Sequence, residues 1–311
     1  MGPMEPVDRT EIAAAADRLV AHLRPTPTLV MDGPRDEPLV AKLELVQPTG
    51  SFKVRGATSL LTSGDLPEAG VVAASGGNFA LAVAWAARRL SGRATVFVPD
   101  SSPAAKIDRL RDLDADVRVV AGYYADALAA AQEYTSATGA RWAHAYDQRE
   151  VVAGQGTVAA ELVAEHPDLD TVIVACGGGG LLAGVAGLLA TDVRVVAVET
   201  HGTPALHAAR AAGGPVDVEV SGLAASSLGA RRLGSLAWAA QPWVDEAVLV
   251  TDDDVRAAQR LLWERHRLVA EPGGAAALAA LTAGAYLPGP GERVAVVLCG
   301  ANTDPSEVVT P

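Results

Sequence analysis

The sequence predicts an α/β protein built on mostly parallel sheets. Short β-branched, apolar runs alternate along its 311 residues with longer stretches of helical periodicity. The runs are apolar throughout, which is typical of strands covered by helices on both faces of a sheet. Glycine- or asparagine-bearing loops follow three of them, and ligands of open α/β sheets bind beyond the carboxyl ends of strands. We therefore expect the functional site at that edge.

Strands are predicted, in chain order, at LVAKL (39–43), VVAAS (71–75), ATVFVP (94–99), DVRVV (116–120), TVIVA (171–175), VRVVAV (193–198), AVLV (247–250) and RVAVVL (293–298). Helices are predicted at 10–23, 53–62, 78–90, 103–112, 123–138, 153–165, 181–190, 252–268 and 273–284. Glycine- and proline-rich segments at 62–70 and 284–292 indicate loops. These patterns leave open whether the chain forms one domain or two.

Charge and cysteine content limit the classes of function. The net charge is −12, and no basic patch stands out, which argues against a nucleic acid or an anionic membrane as partner. The two cysteines, Cys176 and Cys299, each end an apolar run and indicate a reducing compartment rather than a disulfide framework. Residues 1–9 lack the apolar core of a signal peptide, so we expect a cytoplasmic protein.

One uncharged stretch, 171–191, is long enough to span a membrane. Four consecutive glycines interrupt it, and each costs a helix about 1 kcal/mol of stability. A buried strand, a glycine loop and a buried helix are therefore predicted there.

The segment QPTGSFKVRGA (47–57) places a lysine where lysine is unfavourable. Lys53 lies at a predicted helix start, and the helix dipole is positive there. A solvated lysine would be the ordinary interpretation, but this position makes Lys53 a candidate functional residue.

Two loops after predicted strands could bind ligands. ASGGNFA (74–80) offers Ser75 and Asn78 at a helix start, although an ordinary capping loop would look the same. CGGGGLLAG (176–184) allows backbone N–H groups to converge on an anion at a helix N-terminus, and it predicts a phosphate site.

The second loop also fits a dinucleotide-binding fingerprint. Gly178, Gly180 and Ala183 match G-x-G-x-x-[GA], and Glu199 follows at about the 20-residue spacing of a ribose-binding acid. An NAD-dependent oxidoreductase is therefore an alternative, but it leaves Lys53 and the Asn78 loop unexplained.

The third loop, LCGANTDP (298–305), contains Cys299, which could equally be a core thiol.

Taken together, these segments resemble the serine/threonine dehydratase family of fold type II pyridoxal-phosphate enzymes, which are similar to the tryptophan synthase beta subunit. The resemblance rests on KLELVQPTGSFKVRGA (42–57), ASGGNFALAVAWAA (74–87), VAGQGTVAAEL (152–162), CGGGGLLAGVA (176–186), AEPGGAAALAAL (270–281) and VVLCGAN (296–302). It implies a two-domain architecture in which each domain is an open, mostly parallel sheet with flanking helices. The large cofactor domain would combine 1–64 with 148–311, and the small domain, 65–147, would close over the substrate.

The resemblance also implies roles for particular residues. Lys53 would form the Schiff base with pyridoxal 5′-phosphate and act as the catalytic base. The other implied cofactor contacts are Phe52 near the ring, Asn78 at the ring hydroxyl, Gly177, Gly178, Gly179, Gly180 and Leu181 around the phosphate, and Cys299 at the pyridine nitrogen. The substrate loop would comprise Ser75, Gly76, Gly77, Asn78 and Phe79.

The implied reaction is β-elimination of a small β-hydroxy amino acid such as L-threonine or L-serine, giving a 2-oxo acid and ammonia. Alternatives on the same fold are β-replacement and racemisation. A homodimer is the implied assembly, and the substrate is a small amino acid.

Three positions depart from the family pattern. Phe79 stands where many relatives have histidine, and Gly76 stands where racemases of the fold carry a serine that acts on the second face of Cα. Relatives with a divalent cation use an acid at Glu199 and another near Ala205, which is not acidic here. We therefore expect no metal site, with Glu199 as a weak candidate, and no strong racemase activity.

Overall fold

The computed structural model describes residues 4–33 and 37–309, which form two sheets. The strands are β1 (Thr28–Asp32), β2 (Pro38–Lys42), β3 (Val71–Ala74), β4 (Ala94–Pro99), β5 (Asp116–Val120), β6 (Arg141–Trp142), β7 (Thr171–Ala175), β8 (Arg194–Thr200), β9 (Glu246–Val250) and β10 (Val294–Val297). A six-stranded sheet has the order β1-β2-β10-β7-β8-β9, and a four-stranded sheet has the order β5-β4-β3-β6.

Helices cover both sheets. They are α1 (Arg9–Leu19), α2 (Lys53–Leu61), α3 (Asn78–Arg89), α4 (Ala104–Arg111), α5 (Tyr124–Thr138), α6 (Arg149–Glu165), α7 (Gly180–Leu189), α8 (Ala205–Ala212), α9 (Ala225–Leu228), α10 (Ser235–Ala240), α11 (Asp252–His266), α12 (Pro272–Thr282) and α13 (Ser306–Val309). Within the described ranges, no helix is both long and apolar enough to cross a membrane.

The predicted α/β class is confirmed, and the strand pairing explains the apolar runs. The strand pairs of the described residues are parallel, apart from the antiparallel pair of β1 with β2. Buried β3, β7 and β10 expose none of their residues, as expected of strands covered on both faces. The stretch 171–191 is β7, a glycine loop and α7, as predicted.

The four-stranded sheet takes its strands from Val71 to Trp142, between two segments that supply the six-stranded sheet. The domain boundaries at 64/65 and 147/148 stay predictions. Strands β1 and β6 were not predicted: β1 is an edge strand in which only Met31 is buried, and β6 has only two residues. Helices α8, α9, α10 and α13 were also not predicted.

Glycines allow the helices beneath the functional loops to pack at close range. A Cβ at Gly184 on α7 would lie 2.5 Å from the backbone nitrogen of Gly156 on α6. A Cβ at Gly154 on α6 would lie 2.7 Å from the carbonyl oxygen of Arg55 on α2. Real Cβ atoms do not approach so closely, so the three helices require glycine at these contacts.

A buried group of charges anchors the start of α2 to the six-stranded sheet. The Arg55 guanidinium donates to both carboxylate oxygens of Glu44, at 2.8 and 2.7 Å, and to Glu161 Oε1 at 2.6 Å. Lys42 Nζ donates to Glu161 Oε2 at 2.7 Å. The Arg55 and Glu44 side chains are 2% and 0% exposed, so each charge relies on its partner instead of water. We refer to Lys42, Glu44, Arg55 and Glu161 as the buried ion cluster.

We predict that Arg55→Met lowers the free energy of unfolding by about 3–5 kcal/mol, because it leaves the Glu44 carboxylate buried without its cation. The measurement is urea denaturation of the variant and the parent protein. Arg111→Ala is the matched control: it removes an exposed ion pair with Asp108, which should contribute about 0–1 kcal/mol. A loss below about 1 kcal/mol for Arg55→Met would contradict the anchoring role.

Candidate active site

Lys53 is the first residue of α2, and its side chain reaches the loop between β6 and α6. Its Nζ donates a hydrogen bond to the Ala145 carbonyl oxygen at 3.0 Å. The same nitrogen lies 4.9 Å from the centre of the Phe52 ring and 6.0 Å from that of Phe79. Burial lowers the pKa of Lys53 to about 8, opposed by nearby Cys299 and Glu271. The neutral fraction of the amine at physiological pH is therefore much larger than that of an ordinary lysine, which suits a nucleophile or base.

The tetraglycine loop lies beside that contact, packed against the next residue, Tyr146. A Cβ at Gly178 would lie 2.5 Å from the Tyr146 ring, and one at Gly180 would lie 2.8 Å from Tyr146 Cα. Gly179 has φ +86°, a conformation that favours glycine. The loop thus needs glycine for both close approach and backbone shape.

The backbone donors of this loop are free. From Gly177 to Leu181, the N–H groups have no protein acceptor in the described parts of the chain. They lie at the N-terminus of α7, where the helix dipole favours negative charge. The arrangement fits an anion, as the sequence predicts for a phosphate group.

The loop before α3 offers a second set of donors. Ser75 Oγ accepts from the Gly77 N–H at 3.2 Å, and Gly77 is the N-cap of α3. In the described structure the N–H groups of Gly76, Asn78 and Phe79 have no acceptor. The Phe79 side chain is 3% exposed and packs in the core around the four-stranded sheet, so its ring borders Lys53 from inside the protein.

Asn78, the first residue of α3, is held on both sides of its amide. Its Nδ2 donates to Glu271 Oε1 at 2.6 Å, and its Oδ1 accepts from Asn302 Nδ2 at 2.9 Å. Glu271 lies just before α12 and Asn302 follows β10, so the contacts join elements of both sheets. Burial raises the pKa of Glu271 to about 7, although the Asn78 hydrogen bond and Lys53 oppose the shift.

Cys299 follows β10 and is buried beside Lys53 and Glu271. Its Sγ donates to the Gly273 carbonyl oxygen at 3.3 Å. Burial, and then the Glu271 charge, raise the pKa of the thiol well above its ordinary value, so it stays protonated. A neutral thiol therefore occupies the position predicted to meet a ring nitrogen.

Glu199 makes its hydrogen bonds at the start of α8. Its carboxylate is buried and accepts from the Leu206 and His207 N–H groups, at 2.7 and 2.9 Å, at the start of α8. Both oxygens thus cap a helix. Among the described residues, no group of three or more His, Cys, Asp or Glu side chains is arranged to hold a metal ion.

Sequence reasoning missed three residues that shape the site: Tyr146, Glu271 and Asn302. Glu271 is the acid before the proline of AEPGG, in an otherwise small, apolar segment. Asn302 ends the CGAN motif, and Tyr146 is an aromatic residue in a polar loop. These are weak local signals that do not single out a site residue, and only the fold shows which groups the three residues contact.

Comparisons with known proteins agree with this geometry. The family model described as "Pyridoxal-phosphate dependent enzyme" matches residues 19–300. The chain is 37% identical to the biosynthetic L-threonine dehydratase of Escherichia coli over 276 residues, which are 86% of this chain and 54% of that protein. It thus spans about half the length of that relative. It is 38% identical to a phenylserine dehydratase of Ralstonia pickettii over 308 residues, covering 96% of this chain and 94% of that one.

The fold also matches solved structures. A structure of maize serine racemase superposes with a TM-score of 0.91, covering 97% of this chain and 95% of that chain at 28% identity.

We predict that Gly178→Ala weakens binding of pyridoxal 5′-phosphate to the cofactor-free protein at least about 10-fold, since the new Cβ would displace Tyr146 or the loop. Binding is measured by titration of tryptophan fluorescence. Gly214→Ala is the control, because its Cβ would meet nothing within 4 Å. Unchanged affinity in Gly178→Ala would show that the loop tolerates a side chain and does not cradle the phosphate.

Proposed function

This chain belongs to the pyridoxal-phosphate dependent enzyme family, and we propose that it removes water from a small β-hydroxy amino acid such as L-threonine or L-serine. The product is a 2-oxo acid with ammonia, since the water lost on elimination is regained when the unsaturated product hydrolyses. The observation that carries the proposal is the placement of the buried Lys53 amine, which is hydrogen-bonded to the Ala145 carbonyl beside the free N–H groups from Gly177 to Leu181.

The residues present fit the cofactor. The free N–H groups from Gly177 to Leu181 would hold its phosphate, and Lys53 would bind it covalently. Asn78 would face the ring hydroxyl, Phe52 would border the ring, and Cys299 would meet the ring nitrogen. When bound, pyridoxal phosphate supplies the electron sink that stabilises negative charge at the substrate Cα. A neutral thiol would leave the ring nitrogen unprotonated, whereas a carboxylate would stabilise a proton on it. The ring would then withdraw electrons less strongly, which favours elimination.

Lys53 would take the proton from the substrate Cα. Lowering its pKa from 10.5 to about 8 raises the neutral, basic fraction at pH 7 roughly 300-fold. The Ala145 carbonyl fixes the amine, so its position does not depend on a mobile side chain. A placed base of matched pKa typically contributes about 10²–10⁴-fold to a rate.

The loop before α3 would bind the substrate carboxylate. The free N–H groups of Gly76, Asn78 and Phe79 indicate an anion site at the start of α3. The turn before them is stabilised by the hydrogen bond from the Gly77 N–H to Ser75 Oγ. Two anion sites, one at α3 and one at α7, suit an amino acid joined to a phosphate-bearing cofactor.

An aromatic β-hydroxy amino acid is a second candidate substrate. The Phe52 and Phe79 rings lie 4.9 and 6.0 Å from Lys53 Nζ, and Phe79 replaces a histidine common in relatives. The Ralstonia pickettii relative, matched over 94% of its length, is a phenylserine dehydratase. β-Replacement and racemisation are further alternatives on this fold.

We further propose that 65–147 is a small domain that closes over the substrate and that 1–64 with 148–311 form the cofactor domain. The contact of Arg109 on α4 with Asn302 after β10, at 2.9 Å, supports a closed arrangement. A cytoplasmic homodimer is proposed on the family resemblance and the paucity of cysteine.

We predict a yellow protein in which borohydride fixes the cofactor to Lys53, and production of 2-oxo acid from L-threonine, L-serine or phenylserine. The sequence contains three lysines, so peptide mapping has two internal controls: buried Lys42 and exposed Lys106. Lys53→Ala should abolish 2-oxo acid formation, while Lys106→Ala should retain it. A colourless protein that binds NADH, or 2-oxo acid formation unchanged in Lys53→Ala, would refute the proposal.

We predict that the parent enzyme forms D-serine from L-serine at least about 10-fold more slowly than pyruvate, because Gly76 offers no proton donor on the second face of Cα. Gly76→Ser should raise the D-serine to pyruvate ratio; its Cβ would lie 3.4 Å from Ser102 Oγ and so fits. Gly76→Ala, which adds the Cβ without the hydroxyl, is the control. Comparable D-serine and pyruvate rates in the parent enzyme would show that another group serves the second face.

A further inference from the structure

The amide of Asn78 has one orientation that satisfies both neighbours. Glu271 presents an acceptor and Asn302 presents a donor, so exchanging Nδ2 and Oδ1 of Asn78 would break both hydrogen bonds. Asn302 is itself oriented, because its Oδ1 accepts from Arg109 at 2.9 Å and its Nδ2 also donates to the Thr49 carbonyl oxygen at 2.8 Å. The chain of contacts therefore dictates which end of the Asn78 amide carries the donors.

Glu271 is the charged member of this chain and is itself rigidly placed. Its side chain is 6% exposed, and its N–H donates to the Gly300 carbonyl oxygen at 3.0 Å. A Cβ at Gly300 would lie 2.0 Å from Glu271 Oε1, so the glycine of the CGAN motif makes room for the carboxylate. Burying a carboxylate costs free energy of folding, yet the fold provides a closely fitting space for this one. Glu271 therefore has a specific role inside the protein.

We propose that Glu271 is a positioning residue that fixes the Asn78 amide with an N–H available to the cofactor ring oxygen. Asn78 Nδ2 carries two hydrogens, and Glu271 accepts one; the other has no acceptor among the described residues. The inference rests on the family's cofactor and on Asn78 facing it, not on the identity of the amino-acid substrate.

The charge of Glu271 adds a pH dependence to this role. The charged and titratable groups that face it are Lys53 from α2, Lys106 and Arg109 from α4, and Cys299 after β10. Because the pKa of Glu271 is raised to about 7, its carboxylate is charged above that pH and neutral below it. The charge-assisted bond to Asn78 is therefore strongest above pH 7 and weakens as the pH falls.

The test compares Glu271→Leu, Glu271→Gln and Asn302→Leu with the parent protein, and uses Glu264→Gln on the exposed face of α11 as control. Cofactor-free protein is titrated with pyridoxal 5′-phosphate from pH 6 to 8.5, and the visible absorption band is recorded at each pH. These readouts do not require a substrate, so they stay meaningful if the proposed reaction is wrong.

We expect Glu271→Leu and Asn302→Leu to weaken cofactor binding at least 10-fold and to shift the visible band, because each releases the Asn78 amide. Glu271→Gln keeps an acceptor and should bind within about 3-fold of the parent at pH 6. Its gain in affinity between pH 6 and 8 should be smaller than that of the parent and of Glu264→Gln, because only the deprotonation of Lys53 then contributes to it. Parental affinity and spectrum in both leucine variants would overturn the proposal. If Glu271→Leu does not fold, parental pH dependence in Glu271→Gln overturns it.

Discussion

The arrangement of the site depends on the buried ion cluster, because that cluster sets where α2 begins. Arg55 lies two residues after Lys53, and its bidentate contact with Glu44 ties this turn to the segment after β2. Helix α2 then packs on α6 on one side and on α3 on the other. One rigid group is thus formed by Lys53, its anchor Arg55 and helix α3, which begins with Asn78. The mutual pairing of the four charged side chains offsets the free energy that their desolvation costs. The same contacts hold the first turn of α2, and with it Lys53, in a fixed position.

Negative charge in the site lies on Glu271 rather than on Cys299. Burial raises the pKa of both groups, but a thiol starts from a higher value, so Cys299 stays neutral while Glu271 titrates near neutrality. A carboxylate at the ring nitrogen would hold a proton there. In the proposed arrangement, the Glu271 carboxylate would instead act through Asn78 at the ring hydroxyl, and the ring nitrogen would stay unprotonated. This separation suits elimination, in which strong electron withdrawal is not needed.

The sequence predicted the strands and helices whose residues are uniformly buried or strongly periodic, including β3, β7, β10 and α3. It failed for β1 and β6, where pairing partners rather than local pattern decide the structure. Lys53 and the tetraglycine loop were recognisable because each violates a local preference. Glu271 and Asn302 were not, because their importance arises from contacts across 193 and 224 residues of sequence with Asn78. The Tyr146 contact with Gly178 also joins residues that are distant in sequence.

The hydrogen bonds that orient Asn78 also cross between the two sheets, which couples their relative position to the cofactor site. Arg109 on α4 moves with the four-stranded sheet, whereas Asn302 and Glu271 are fixed to elements of the six-stranded sheet. Asn78 belongs to α3, so its two contacts form only when the sheets are in this relative position. A displacement of the four-stranded sheet relative to the six-stranded sheet would therefore release the Asn78 amide from Glu271 and Asn302. In the proposed function, substrate capture and ring alignment would both depend on the N-terminus of α3, so the polar chain would couple one to the other.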